Sequence, residues 1–119
     1  MPYPKMYRLI DALLSGAYIK PIKWEITAEE DVFQASFSDV VLQLRKSEGG
    51  HSRPLYVISI YKDGNLVEEV NDEDLDAQSP KINSYYSDLK VFYEDVRRKV
   101  MGVDNVIDTI LAEIEEIPF

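Results

Sequence analysis

The 119-residue sequence has no cysteine and one histidine, His51. Without thiols it can hold no disulfide framework, no thiolate zinc site and no cysteine nucleophile. A single histidine excludes His-pair metal sites, the HExxH pattern among them, and leaves little for an imidazole proton relay. Nor does any apolar run approach the roughly 18 residues that a membrane-spanning helix requires. The opening Met1-Pro2-Tyr3-Pro4-Lys5 leads into a polar-faced helix instead of an apolar leader core, so no signal peptide is expected. Positive charge is scarce. Lys and Arg number 13 against 22 Asp and Glu, a net charge of −9, which argues against a general nucleic-acid binder with its need for a basic surface. A cytoplasmic location fits a cysteine-free chain and is the expectation. No cofactor and no metal ion are expected.

What is present is ordinary globular material, 45% hydrophobic and 29% charged. No linker or repeat interrupts it, so residues 1–119 read as one domain, long enough to bury a core of its own. The charge is unevenly placed. Residues 1–62 carry eight bases and seven acids, a net of +1, whereas residues 63–119 carry five bases and fifteen acids, a net of −10. Such asymmetry points to a partner for the second half.

Met6, Leu9, Ile10, Leu13, Leu14 and Ala17 recur at helical spacing, which predicts an amphipathic helix over residues 5–17 with Pro4 at its start. Pro21 stops it. The period then becomes two. Ile22, Trp24 and Ile26 alternate with polar residues, as do Phe33, Ala35 and Phe37, then Val40, Leu42 and Leu44. Tyr56, Ile58 and Ile60 follow, and Leu66 with Val70 close the series. Glu29-Glu30-Asp31, Ser38-Asp39, a loop over residues 47–52 and Asp63-Gly64 separate these stretches. Short connections make antiparallel neighbours, hence a five-stranded meander. Residues 71–82 are polar, contain Pro80 and read as a loop. A helix over residues 84–101 carries Tyr85, Leu89, Phe92, Tyr93, Val96 and Val100, and Gly102 is its stop. The last helix begins near Asp104 with the stripe Val103, Val106, Ile107, Ile110, Leu111 and Ile114. The fold class is therefore α+β: an N-terminal helix, an antiparallel meander, and a C-terminal helical hairpin on one sheet face.

The acidic stretch of Glu68, Glu69, Asp72, Glu73, Asp74 and Asp76 is the most conspicuous cluster. Asp72, Asp74 and Asp76 occupy positions 1, 3 and 5 of a calcium loop, but Ala77 replaces the turn glycine and Asn83 the bidentate glutamate. A solvated acidic loop is the better reading, and a surface that meets a basic partner is a third. His51 stands in a hairpin loop without sequence companions for catalysis, and Gly49-Gly50 lacks phosphate-loop spacing. Glu25, beside Trp24, alternates onto the polar face. Arg97-Arg98-Lys99 is explained by i,i+4 pairing of Glu94 with Arg98 and Asp95 with Lys99, and by the helix dipole. Glu113, Glu115 and Glu116 crowd the negative end of the last helix against that dipole. Of eight tyrosines, Tyr61 and Tyr86 fall off the apolar faces, where partly buried aromatics are the commoner reading and interface anchors the functional one.

Trp24, the stretch from Tyr56 to Asn65 and the stretch from Arg97 to Asp104 together resemble small uncharacterised prokaryotic α+β domains. Those begin with a Trp-bearing strand, carry an aromatic hairpin closed by Asp-Gly, and finish with a helical hairpin broken at Gly-Val-Asp. The resemblance implies a compact accessory domain and carries no active site.

The function these features favour is non-catalytic: a protein-interaction domain of bacterial or phage type that binds a basic protein partner. Its contact residues would be Asp72, Glu73, Asp74, Asp76, Tyr61, Tyr86, Glu113, Glu115 and Glu116. Nucleic-acid mimicry is a special case, self-association into a homodimer is left open, and direct contact with nucleic acid or membrane is not expected. The rival is a small-ligand binder or enzyme with a pocket between sheet and helices, using His51, Arg97 or Arg98 with a loop carboxylate.

Overall fold

The computed structural model describes residues 4–16, 18, 20–49, 53–78 and 84–115. In chain order its elements are α1 (Pro4–Ser15), β1 (Glu25–Ile26), β2 (Val32–Phe37), β3 (Val40–Ser47), β4 (Leu55–Lys62), β5 (Asn65–Asn71), α2 (Asp72–Gln78), α3 (Tyr85–Met101) and α4 (Val103–Glu115). The five strands form one antiparallel sheet in sequence order, as short turns require. Asp63 and Gly64 both adopt positive φ, 51° and 83°, the conformation of a type I′ hairpin turn.

Alternation sorts the sheet's faces. Phe33, Leu42, Leu44, Tyr56, Ile58 and Val70 point to one side, where Met6, Ile10 and Leu13 of α1 and Tyr85, Leu89, Tyr93 and Val96 of α3 meet them in a single core. Both helices run across the strands. The Tyr86 ring packs on Tyr56 of β4 and the Tyr93 ring on Phe33 of β2, while Phe92 meets Trp24 ahead of β1. Two long-range hydrogen bonds pin α1: the Tyr7 hydroxyl donates to the Leu75 carbonyl at 3.4 Å, and the Tyr85 hydroxyl donates to Asp11 at 2.9 Å. The fold is α+β, with its helical hairpin packed against the sheet through α3.

Three expectations are corrected. The segment after β5 is not loop throughout, because residues 72–78 are helical. Asn71 and Asp74 start that helix by reciprocal bonds, Asp74 N–H to the Asn71 side chain at 2.8 Å and Asn71 N–H to Asp74 at 3.4 Å. The strand expected over Ile22–Ile26 shrinks to two residues at the sheet edge, with Ile26 64% exposed and Trp24 turned to Phe92 ahead of it. The stripe of α4 does not join the core: none of its residues is buried. Accordingly the chain measures 61 × 33 × 29 Å. Its radius of gyration is 17.0 Å, against roughly 13–14 Å for a compact chain of this length.

Gly102 makes that departure. It takes φ 62°, ψ 38° and donates its N–H to the carbonyls at the end of α3, so a left-handed residue breaks one helix from the next. A Cβ added there would meet nothing within 4 Å. The cost of a side chain is therefore conformational alone. Gly102→Ala should lower unfolding free energy by about 1–2 kcal/mol in a urea titration with unchanged slope, and Gly102→Asn by less.

Candidate functional site

The acidic residues singled out from the sequence divide into two groups, one turned inward and one outward. Asp72 is fully buried. Its Oδ1 accepts the Tyr56 N–H at 2.7 Å, and its Oδ2 has no partner among the described residues. Burial pushes this carboxyl above the ordinary aspartate range, only partly offset by the backbone N–H groups of Tyr56 and of Asp72 itself, and by Arg53. Asp76 ties α2 to the start of α3. It accepts the Tyr85 N–H at 2.6 Å, the Ser84 hydroxyl at 3.0 Å and the Tyr86 N–H at 3.3 Å, filling donors that α3 leaves open at its first turn. A solvated loop is thus replaced by a capping system, and Asp72 is removed as a surface contact. Glu73 is half-buried and Asp74 exposed.

The tyrosines have moved inward too. Tyr86 is half-buried against the core, its ring 5.7 Å from that of Tyr56, with the Arg53 guanidinium 3.8 Å above it. Tyr61 is half-buried on the sheet face away from the helices, opposite Val41. On that face Glu69 accepts from the Ser59 hydroxyl at 2.8 Å and from Arg45 at 3.4 Å. The edge strand β5 carries Glu68 and Glu69 next to exposed Leu66 and Val67, charges that discourage edge-to-edge pairing.

The outward group is on α4. Val106, Ile107, Ile110, Leu111 and Ile114 are between 43% and 55% exposed, a continuous stripe open to solvent. Asp104, Asp108 and Glu115 follow one flank at helical spacing and Glu113 lies on the other, with no base from Val103 to Glu115. Arg98 of α3 reaches across the break to Asp104 at 3.0 Å instead of back to Glu94. Glu116, like His51, lies outside the described residues.

The residues of the enzyme alternative are scattered. Arg97 lines a cleft with Glu29, Glu30 and Asp31, and Arg98 another with Asp104 and Asn105. Beneath the first cleft the Tyr93 hydroxyl donates to the Asp31 carbonyl and carboxylate at 3.1 and 3.3 Å, and burial raises its pKa well above that of free tyrosine. Among the described residues no group of three His, Asp or Glu side chains could hold a metal ion, and no helix is long and apolar enough to cross a membrane.

The pocket between sheet and helices that the rival reading expects has a counterpart in an apolar groove between α1 and the sheet, but Arg97 and Arg98 do not line it. It measures about 430 Å³ and is lined by Leu9, Ala12, Tyr18, Ile22, Phe37, Val40, Leu42 and Ile60, with Leu13 and Lys20 completing it. The signal was there. Phe37, Val40 and Ile60 keep the core-facing alternation up to the turn end of the sheet, where α1 covers them only in part.

Compared with known protein families, curated proteins and solved structures, the chain matches none of them.

The buried Asp72 carboxyl generates a pH dependence of known sign. Because its pKa is raised on folding, the unfolded chain gives up that proton first as pH rises. Its stability contribution is full below the ordinary carboxylate range and falls as pH climbs toward the folded value. Asp72→Asn, which keeps an acceptor for the Tyr56 N–H, should unfold at higher urea concentration than the wild type at pH 7. The difference should close below about pH 4, where both states are protonated.

Proposed function

We propose that the protein is a non-catalytic interaction domain whose docking element is α4, presented to a protein partner with a basic-rimmed apolar groove. The exposed stripe from Val106 to Ile114 carries this reading. An isolated helix of 13 residues is marginal in water and gains most of its stability from covering its apolar face. That face here is bare, which is the form taken by amphipathic helices that bind in grooves. Four acids and no base along α4 select a partner whose rim is positive, with Glu73, Asp74 and the β5 acids as additional negative surface. Nothing in such a role requires a catalytic group, a metal or a cofactor. A cytoplasmic accessory domain of prokaryotic type is the setting that suits it.

The groove beside α1 favours a second reading, a binder of a small apolar ligand, since its walls offer burial with almost no polar group to orient a reaction. A fluorescent fatty-acid probe should brighten with the wild type and not with Leu9→Gln if the groove takes such ligands.

The α4 reading is tested with Ile107→Gln combined with Ile110→Gln, residues whose side chains face solvent. Stability should stay within about 0.5 kcal/mol of the wild type. Capture of a basic protein partner should weaken about thirtyfold or more, the 2 kcal/mol of a buried anchor pair. Equal capture by both proteins would disprove it.

A further inference from the structure

Among the described residues, two open apolar surfaces differ in electrostatic character. One is the α4 stripe, flanked by Asp104, Asp108, Glu113 and Glu115. The other is the groove beside α1, and its rim is basic. Lys20 lines it directly. Lys62 lies opposite Val40 in the β3–β4 register and so shares the groove's face of the sheet. On α1, Lys5 and Arg8 are exposed one helical turn ahead of Leu9 and Ala12, which line the wall. Against these four bases the described surroundings offer three acids, one of them Asp63 in the β4–β5 turn beside Lys62. Asp39 is in the β2–β3 turn, and Glu68, opposite Ile60, accepts the Glu69 N–H at 3.2 Å. The groove is therefore the type of receptor that α4 demands: apolar floor, positive edge.

We propose that α4 of one copy docks in the groove beside α1 of a second copy, and reciprocally, giving a two-fold dimer by exchange of the C-terminal helix. The inference rests on the reading of α4 as a docking helix and names its partner as the same chain. In this structure α4 leaves the groove of its own chain open: none of its described residues lines it and none is buried. Reciprocity also supplies area. One helix face against one groove is small beside the roughly 1,200–2,000 Å² of a stable interface, and a two-fold arrangement buries that contact twice. Both copies are acidic overall, so the pairing works through local complementarity, and added salt weakens it by screening.

Sedimentation equilibrium on the full chain decides the matter. The wild type should show a species of twice the 13.7 kDa chain mass, while Ile107→Gln/Ile110→Gln and Phe37→Glu should each raise the dissociation constant at least tenfold. Phe37 is 46% exposed, so its substitution spares the core. Circular dichroism verifies folding, and Lys20→Glu, on the exposed rim, serves as the second groove variant. Mixing the two crippled proteins is the decisive arm. The Phe37→Glu chain keeps a sound α4 and the α4 variant a sound groove, so the mixture should recover a heterodimer held by one intact contact.

A wild type that stays monomeric at about 1 mM, where even a millimolar dissociation constant would register, overturns the proposal. So does a dimer that survives Phe37→Glu and Lys20→Glu but not the α4 substitutions, for that would be α4 against α4. A dimer that survives the α4 substitutions overturns it too. If the wild type is monomeric yet α4 substitutions abolish capture of a different basic protein, the exchange is wrong and the docking function stands.

Discussion

β3 and β4 each run eight residues, about 26 Å of strand, whereas two helices laid side by side across them cover about 20 Å. The remaining arrangement follows from this mismatch. α3 takes the end of the sheet where Phe33, Leu44 and Tyr56 lie, and α1 the middle. The turn end, with Phe37, Val40 and Ile60, is left over. The chain possesses a third helix of suitable character in α4, yet Gly102 directs it away from that vacancy. A layer is thus one helix short within each chain, while each chain also has one helix to spare.

The helices stay in register on the sheet because polar groups fix their ends. Asp76 sets the first turn of α3, Tyr85 binds α3 to α1 through Asp11, and Asp72 holds the start of β4 through the Tyr56 N–H. Asp72 and Asp76 lie in the segment whose sequence looks most like a solvated loop. Counting charges there could not distinguish acids that cap helices from acids that face water, because both favour the same residue types at the N-terminal ends of helices. The Asn-x-x-Asp spacing from Asn71 to Asp74 was the available clue. It was masked by Pro80 and by the density of acids around it.

Periodicity made most of the fold legible. The alternation in β2, β3 and β4, the Asp63-Gly64 turn, the α3 stripe and the Gly102 stop all stand where the pattern puts them. What periodicity reports is that a face wants cover, not which surface provides it, and α4 has the same apolar spacing whether it lies in its own core or in another's. The tyrosines expose the same limit from the other direction. Tyr86 falls off the α3 stripe in sequence yet packs on Tyr56, because Arg53 covers its outer side. The acidic surplus of the second half accordingly acquires two meanings, internal capping in α2 and external flanking in α4.

The bonds that fasten α1 span long stretches of chain: Tyr7 reaches Leu75 and Tyr85 reaches Asp11, separations of 68 and 74 residues. The strands, by contrast, pair only with their immediate successors. Each hairpin of the meander therefore closes a short loop, whereas seating α1 through these bonds closes a long one, the entropically dearer step. Until α2 and α3 are translated, Met6, Ile10 and Leu13 have only an incomplete floor. The seat of α1 thus joins parts of the sequence far apart, so losing α2 or α3 strips cover from Met6, Ile10 and Leu13 as well.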